Sequence, residues 1–341
     1  DYGMLSSGLS SFHALARNPW DPTKGPGGSS AGAGAAAAAG YGPLHVGTDI
    51  GGSIRLPASW CGIFGLKPSL GRIPIDPPYT GRAAGPMTRT VQDAALMMRV
   101  LSRPDARDSM GLPPQPIAWD QAAARPEDLR GLRLGLLLDA GCGLPVDAEV
   151  RAAIAAAARL FEQAGASVVP VAPWLTRTML DGMDHFWRMR SHMDLRTLTA
   201  EQQDKVLPFI RAWATSAADL SGAEVYEASQ QFHATRVATV RACMPFDYVL
   251  SPVAPIAAFA AELPSPTNDP LRPLEHIAFT VPFNMSEQPA ASINCGYTEG
   301  GLPIGLQIAG PRFDDLGVLR LAHAFEQLRG AQRPWPQPPA S

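Results

Sequence analysis

Cysteine is scarce. Cys61, Cys142, Cys243 and Cys295 are scattered over 341 residues and form no Cys-X-X-Cys pair, which argues against a zinc site or a disulfide framework and fits a reducing compartment. Charged residues are few (17%), both signs are interspersed, and the net charge is only −3. With no basic block in the chain, there is no electrostatic footprint for nucleic acid. No apolar run approaches the roughly 18 residues of a membrane span. The seven histidines are dispersed without metal-ligand spacing. No G-x-x-x-x-G-K-S/T run occurs, which excludes a Walker-type phosphate loop.

What the chain does have is apolar content, 46% of residues, enough to bury a large core. "SAGAGAAAAAGY" reads as a helix, and its alanines leave room for close packing on a sheet. "GPLHVGTD" reads as a short strand. "TVQDAALMMRVLS" is a helix capped by Thr90. "LRLGLLLD" and "ASVVPV" are strands flanking the helix "DAEVRAAIAAAARLFEQAG", in which Val150, Ile154, Ala157 and Phe161 share one face and Gly165 ends the run. Residues 181–243 read as mostly helical and dense in Met and aromatics. "FDYVLSPVAP" is strand-like, "AELPSPTNDPLRPLE" a long loop, and "PAASINCGYTEGGLPIGLQIAG" a pair of strands joined by a Gly-rich turn. "LGVLRLAHAFEQLRG" is a last helix. The alternation predicts an α/β fold, a mixed central sheet covered by helices, in a single domain over 1–341.

The chemistry is concentrated in two Gly-rich knots, Gly27-Gly28-Ser29-Ser30 and Gly51-Gly52-Ser53. Gly28 to Gly32 spells the G-x-S-x-G nucleophile elbow, but "NPWDPTKGP" before it cannot be the central strand that an elbow needs. Gly32 to Ala37 spells a dinucleotide fingerprint and fails for the same reason. Asn284-Met285-Ser286 is a glycosylation sequon in spelling only. In "TDIGGS", the consecutive amides of Ile50, Gly51, Gly52 and Ser53 could converge on an oxyanion beside the Ser53 hydroxyl. A tight turn packed against the sheet accounts for the same residues, and both readings stand. Asp49 and Arg55 flank the turn as a scaffold or a plain buried ion pair. His45, on the preceding strand, reads as core packing. Met183, Phe186, Trp187 and Met193 could share a helix face, either as core or as the wall of an apolar pocket.

"PGGSSAGAGAAAAAG…GTDIGGSIRLPASWCGIFGLKPS" resembles the amidase signature family, whose members hydrolyse amides and in some cases esters or carbamates. The match spans a signature core at 27–72, keeps the spacing of its two serines, and continues in "DYVLSPVAP", "PFNMSEQPA" and "GLPIGLQIAG". Its one departure within the motif is Ala31, where Gly is commoner. The resemblance implies a Ser–Ser–Lys triad: Ser53 as nucleophile, Ser29 as the bridging serine on a cis Gly28–Ser29 peptide, and oxyanion amides from Ile50 to Ser53. It implies no cofactor and no metal. The family's lysine falls before Asp1, so a segment carrying it is expected upstream. Lys24 and Lys67 do not occupy its position, and Lys67 reads as structural.

The expected reaction is hydrolysis of a hydrophobic or aryl amide, or of a carbamate (urethane), through an acyl-enzyme. The pocket would draw on the variable region at about 180–280, with Trp187 and Phe186, and on Met4. The alternatives are the glutaminase subunit of a tRNA-dependent amidotransferase and a non-catalytic scaffold. The partner called for is a small-molecule amide or carbamate, with no nucleic acid and no membrane; a second copy of the chain, as a homodimer, stays open. The expected address is the cytoplasm.

Overall fold

The computed structural model describes residues 3–122 and 128–337. Its strands are β1 (Leu44–Asp49), β2 (Phe64–Lys67), β3 (Ala83–Thr88), β4 (Arg133–Leu136), β5 (Ser167–Pro170), β6 (Tyr248–Pro252), β7 (Ala290–Tyr297) and β8 (Pro303–Ala309). They form one eight-stranded sheet in the order β1-β3-β2-β7-β8-β6-β4-β5. The β4 pairings with β5 and β6 are parallel and the rest antiparallel. The sheet is mixed, as the alternation predicted.

The helices are α1 (Ala31–Ala39), α2 (Arg55–Trp60), α3 (Val91–Leu101), α4 (Ala148–Gln163), α5 (Arg177–Leu195), α6 (Ala200–Lys205), α7 (Pro208–Thr215), α8 (Gly222–Cys243), α9 (Val281–Met285) and α10 (Asp315–Leu328). The β4-α4-β5 crossover follows directly from two continuous apolar runs around an amphipathic helix. Thr90 caps α3 by accepting the Asp93 amide at 3.1 Å.

Neighbouring strand residues point to opposite faces, and both faces are covered. Leu250, Ala291 and Ile308 lie in one core with α3, α4 and α10, where Phe161 stacks on Phe325 with centroids 5.3 Å apart. Val249, Ala290 and Ala309 lie in the other, with Leu56, Trp60, Trp187 and Trp213. The poly-alanine helix α1 packs Ala37 and Ala38 against Ile54, Ala58 and Met87. Small side chains allow that approach.

β2, β3 and the short helix α2 have no counterpart in the pattern reading. Each is buried along its whole length, so none shows the alternation that marks a half-buried element. His45 is a correction. It sits half-buried on the edge strand β1, with Nε2 3.0 Å from the Gly42 carbonyl, rather than in the core. The helix-face expectation also fails in part: Met183 and Trp187 are buried, whereas Met193 is exposed.

The Phe161–Phe325 stack is a local test of this packing. Phe161→Ala is expected to lower unfolding free energy by about 3–5 kcal/mol, the range for deleting a buried aromatic ring. Urea denaturation measures it, and a loss below about 1 kcal/mol would contradict the described core.

Candidate active site

β1 ends at Asp49 and α2 begins at Arg55, so the Gly-rich turn is strung between two charges that are both fully buried, at 0% exposure. The guanidinium grips the carboxylate in a fork, Nη2 to Oδ1 at 2.8 Å and Nε to Oδ2 at 3.0 Å. Its other donors reach the Thr280 carbonyl (2.9 Å), Gln307 Oε1 (2.7 Å) and Asn284 Oδ1 (2.6 Å). All five N–H donors of the arginine are thereby taken. Burial alone would raise the pKa of Asp49. The Arg55 charge, with hydrogen bonds from Arg55 and Asn284, outweighs burial and holds the carboxyl well below the usual carboxylate range.

The carboxylate also shapes the turn. Asp49 Oδ1 accepts the Gly52 amide at 2.8 Å and Oδ2 accepts the Ile54 amide at 3.1 Å. Thr280 Oγ1 donates to the Gly51 carbonyl at 2.5 Å. The Gly51–Gly52 peptide is thus held at both ends. Its N–H points at Asp49 and is committed there, which removes Gly52 from the expected set of oxyanion amides. The amides of Ile50, Gly51 and Ser53 donate to no protein acceptor among the described residues. Gly52 has φ of 130°, and a Cβ there would lie 2.6 Å from Thr280 Oγ1, so only glycine fits.

The first knot docks beside the second. The Gly28–Ser29 peptide is cis. The Ser30 amide donates to the Ser53 carbonyl at 3.2 Å, and the Ser30 hydroxyl accepts the Thr48 amide at 3.1 Å on β1. Leu5 to Ser7 covers Gly28 so closely that a Cβ would meet the Leu5 carbonyl oxygen at 2.5 Å. Neither the Ser29 nor the Ser53 hydroxyl has a hydrogen-bond partner among the described residues. What joins the two knots is the backbone bond from Ser30 to Ser53, while the Ser30 side chain ties the first knot to β1.

Ser53, Ile50 and Gly51 open on a narrow cavity of about 40 Å³ whose other walls include Met4, Leu56, Trp187, Trp213, Leu274 and Ile277. Gly52 is not in the wall. Among the described residues, no charged side chain lines it. Of the expected pocket residues, Met4 and Trp187 are present, but Phe186 is not. One position along α5 turns its ring by about 100°, into a separate cavity with Phe232, His233 and Arg236. His276 is buried and stacks on Trp60, and burial pushes its pKa down to about 3. It is not part of the Ser53 cavity wall.

Lys24, Lys67 and Lys205 are the lysines of the chain, and none lines the cavity at Ser53. Lys205 is exposed on α6 and pairs with Glu201. Lys67 is buried on β2 and donates to the Pro68 carbonyl at 2.9 Å. Thr280, Asn284 and Gln307 were not picked out from sequence as site residues. The signal available was that Asn284 and Gln307 lie in "PFNMSEQPA" and "GLPIGLQIAG".

A protein-family model described as Amidase matches residues 1–319. A glutamyl-tRNA(Gln) amidotransferase subunit of Synechococcus sp. (strain RCC307) is 34% identical, covering 99% of this chain and 75% of the relative. A solved bacterial aryl acylamidase of the amidase signature family superposes with a TM-score of 0.85 at 30% identity, over 96% of this chain and 70% of its own. The solved 6-aminohexanoate cyclic dimer hydrolase gives 0.82 at 26% identity, over 96% and 73%.

Lys67 yields a test that needs no substrate. Burial, with the nearby Arg55 charge, pushes its pKa down to about 7, against the pull of Asp49, Asp315 and Glu287. Its ordinary value is about 10.4. Between those two values the unfolded chain binds the extra proton, so stability rises with pH across that window. Measured against Lys67→Met by urea denaturation, the wild type is expected to gain relative stability from pH 7 to pH 10. A difference that does not change with pH overturns the assignment.

Proposed function

The chain belongs to the amidase signature family, enzymes that act on amide C–N bonds, and from that premise we propose that it hydrolyses hydrophobic or aryl amides through an acyl-enzyme on Ser53. The observation that carries the substrate class is the uncharged, apolar wall of the cavity at Ser53. Free glutamine would bring a carboxylate and an ammonium group into that wall with no charged partner among the described residues, and unpaired buried charge costs several kcal/mol. A carbamate with an apolar alcohol or amine presents the same acyl chemistry and meets the same wall.

In this reading the Ser53 hydroxyl attacks the substrate carbonyl and gives its proton to Ser29. Ser29 passes a proton on to the neutral lysine that the family's Ser–Ser–Lys triad implies. The developing oxyanion takes hydrogen bonds from the Ile50, Gly51 and Ser53 amides. The C–N bond then breaks, the proton goes to the leaving amine, and water cleaves the ester on Ser53 by the reverse route. Asp49 and Arg55 do not touch substrate here; they position the turn.

The competing reading, a glutaminase subunit, draws on the identity to the Synechococcus amidotransferase chain. Turnover of an anilide and of glutamine by the full-length protein separates the two. We expect kcat/KM for the anilide to exceed that for glutamine, and the opposite order favours the glutaminase.

Two measurements test the residues. Incubation with a fluorophosphonate is expected to add its mass at Ser53; a label at Ser30 would revive the elbow reading. Ser29→Ala should lose on the order of 10²–10⁴ in kcat, the usual share of general acid–base catalysis, with Ser30→Ala losing much less. Equal losses would mean that the loop, rather than the Ser29 hydroxyl, matters.

Trp187 is both cavity wall and core, in contact with Phe232 at a centroid distance of 5.8 Å. Trp187→Ala is therefore expected to cost about 3–5 kcal/mol of stability and also to change selectivity. kcat/KM should fall about 10–100-fold for a bulky aryl amide and little for a small aliphatic one. An unchanged ratio between the two substrates would leave Trp187 a packing residue only.

A further inference from the structure

Behind the apolar wall of the Ser53 cavity lies a buried ion pair. Asp184 and Arg188, one turn apart on α5, are 7% and 5% exposed, and neither lines the cavity itself. Arg188 forks onto Asp184 Oδ2 through Nε and Nη2. Its other bonds leave α5. Nη1 donates to Ser216 Oγ, just beyond α7, at 2.8 Å, and Nη2 donates to the Leu271 carbonyl at 2.7 Å. The second carboxylate oxygen, Asp184 Oδ1, accepts the Trp213 indole N–H at 2.7 Å. Ser216 Oγ in turn donates to the Trp213 carbonyl at 2.6 Å. Trp213 is thus held at its ring by Asp184 and at its backbone by the hydroxyl that Arg188 fixes.

The pair reaches wall residues on separate segments. Trp187 is the chain neighbour of Arg188, Trp213 hangs on both charges, and Leu271 begins the stretch that carries Leu274 into the wall. That stretch is tied again at its other end, where Glu275 takes both Nη atoms of Arg177 at 2.7 and 2.8 Å. Arg177 and Arg188 lie about three turns apart on one side of α5, so residues 271–275 are strapped along the helix between two guanidinium groups. Two apolar side chains of similar volume would fill the place of the ion pair without its desolvation cost. What the charges add is direction, because a hydrogen bond fixes an atom in distance and angle, whereas apolar contact does not. We propose that Arg188, together with Asp184, is a positioning residue for substrate selection. The pair sets Trp187, Trp213 and Leu274 at the spacing that favours a bulky aryl amide over a small aliphatic one. This inference rests on the reading of the Ser53 cavity as the substrate site.

The test uses the full-length protein with a bulky anilide and a small aliphatic amide, the active folded fraction being counted by fluorophosphonate labelling of Ser53. Arg188→Lys keeps a positive charge beside Asp184, but one ammonium group cannot replace the fork and its outward donors. It is expected to lower the kcat/KM ratio of anilide to aliphatic amide about tenfold, chiefly through a higher KM for the anilide. Ser216→Ala removes only the bridging hydroxyl and should shift the ratio the same way by a smaller factor. That variant keeps the test decisive if Arg188→Lys fails to fold. Trp213→Phe retains a ring but no indole N–H. Combined with Arg188→Lys, it should change the ratio by less than the product of the two single effects, because the two groups act through one another. A labelled Ser53 with an unchanged ratio, even alongside a lower melting temperature, overturns the inference and leaves the reading of Ser53 standing. Fully multiplicative effects in the double variant overturn it as well. A wild-type Ser53 that takes no label overturns that reading, and the inference with it.

Discussion

The Asp49–Arg55 ion pair is the constraint on which the site depends. Removing two charges from water costs several kcal/mol per ion, and the pair survives only because every donor and acceptor on it finds a partner. Those partners come from distant parts of the chain: the end of β1, the start of α2, the Thr280 carbonyl, Asn284 on α9 and Gln307 on β8. The pair therefore welds the signature turn to the centre of the sheet. Removing one partner would leave the other charge buried alone, at a cost of about 3–5 kcal/mol.

The same network decides which amides of the turn are available. Asp49 and Thr280 hold one peptide plane from its two ends, and that plane is no longer available to a substrate. The amides on either side of it stay uncommitted and open, with Ser53, on the cavity. In the proposed reaction, selection of this kind would be electrostatic preorganisation: the donors are aimed before any substrate arrives, so no reorganisation is needed. The hydroxyls of Ser29 and Ser53 have no hydrogen-bond partner among the described residues in the same region, which leaves both free to take up new partners.

The walls of the cavity come from elements far from the signature. Trp187 on α5, Trp213 on α7 and Leu274 with Ile277 before α9 close it with apolar surface. Trp213 is in turn anchored through its indole N–H to Asp184, itself forked to Arg188. The Ser53 turn thus rests on the sheet and its ion pair, whereas much of the cavity wall facing it rests on the helical region between β5 and β6. In the proposed reading, amide chemistry and substrate range are carried by separable parts of one molecule.

Sequence by itself determined the elements with a one-sided environment and the motif-bearing turn. The apolar runs of β4 and β5, the striped face of α4 and the Thr90 cap were legible because local patterning and local hydrogen bonds produce them. The two serine knots were legible because Gly-Gly-Ser marks a backbone that other residues cannot adopt. β2, β3 and α2 were not legible: each is buried on all sides, and uniform burial erases periodicity. Only the tertiary structure decided that Asn284 and Gln307, more than two hundred residues from Arg55, complete its guanidinium. It also committed the Gly52 amide to Asp49, and it put Trp187 in the cavity wall while turning Phe186 away. Those outcomes depend on which long-range groups meet a given atom, and a helix turns about 100° per residue, so adjacent side chains of the same apolar type can serve different cavities.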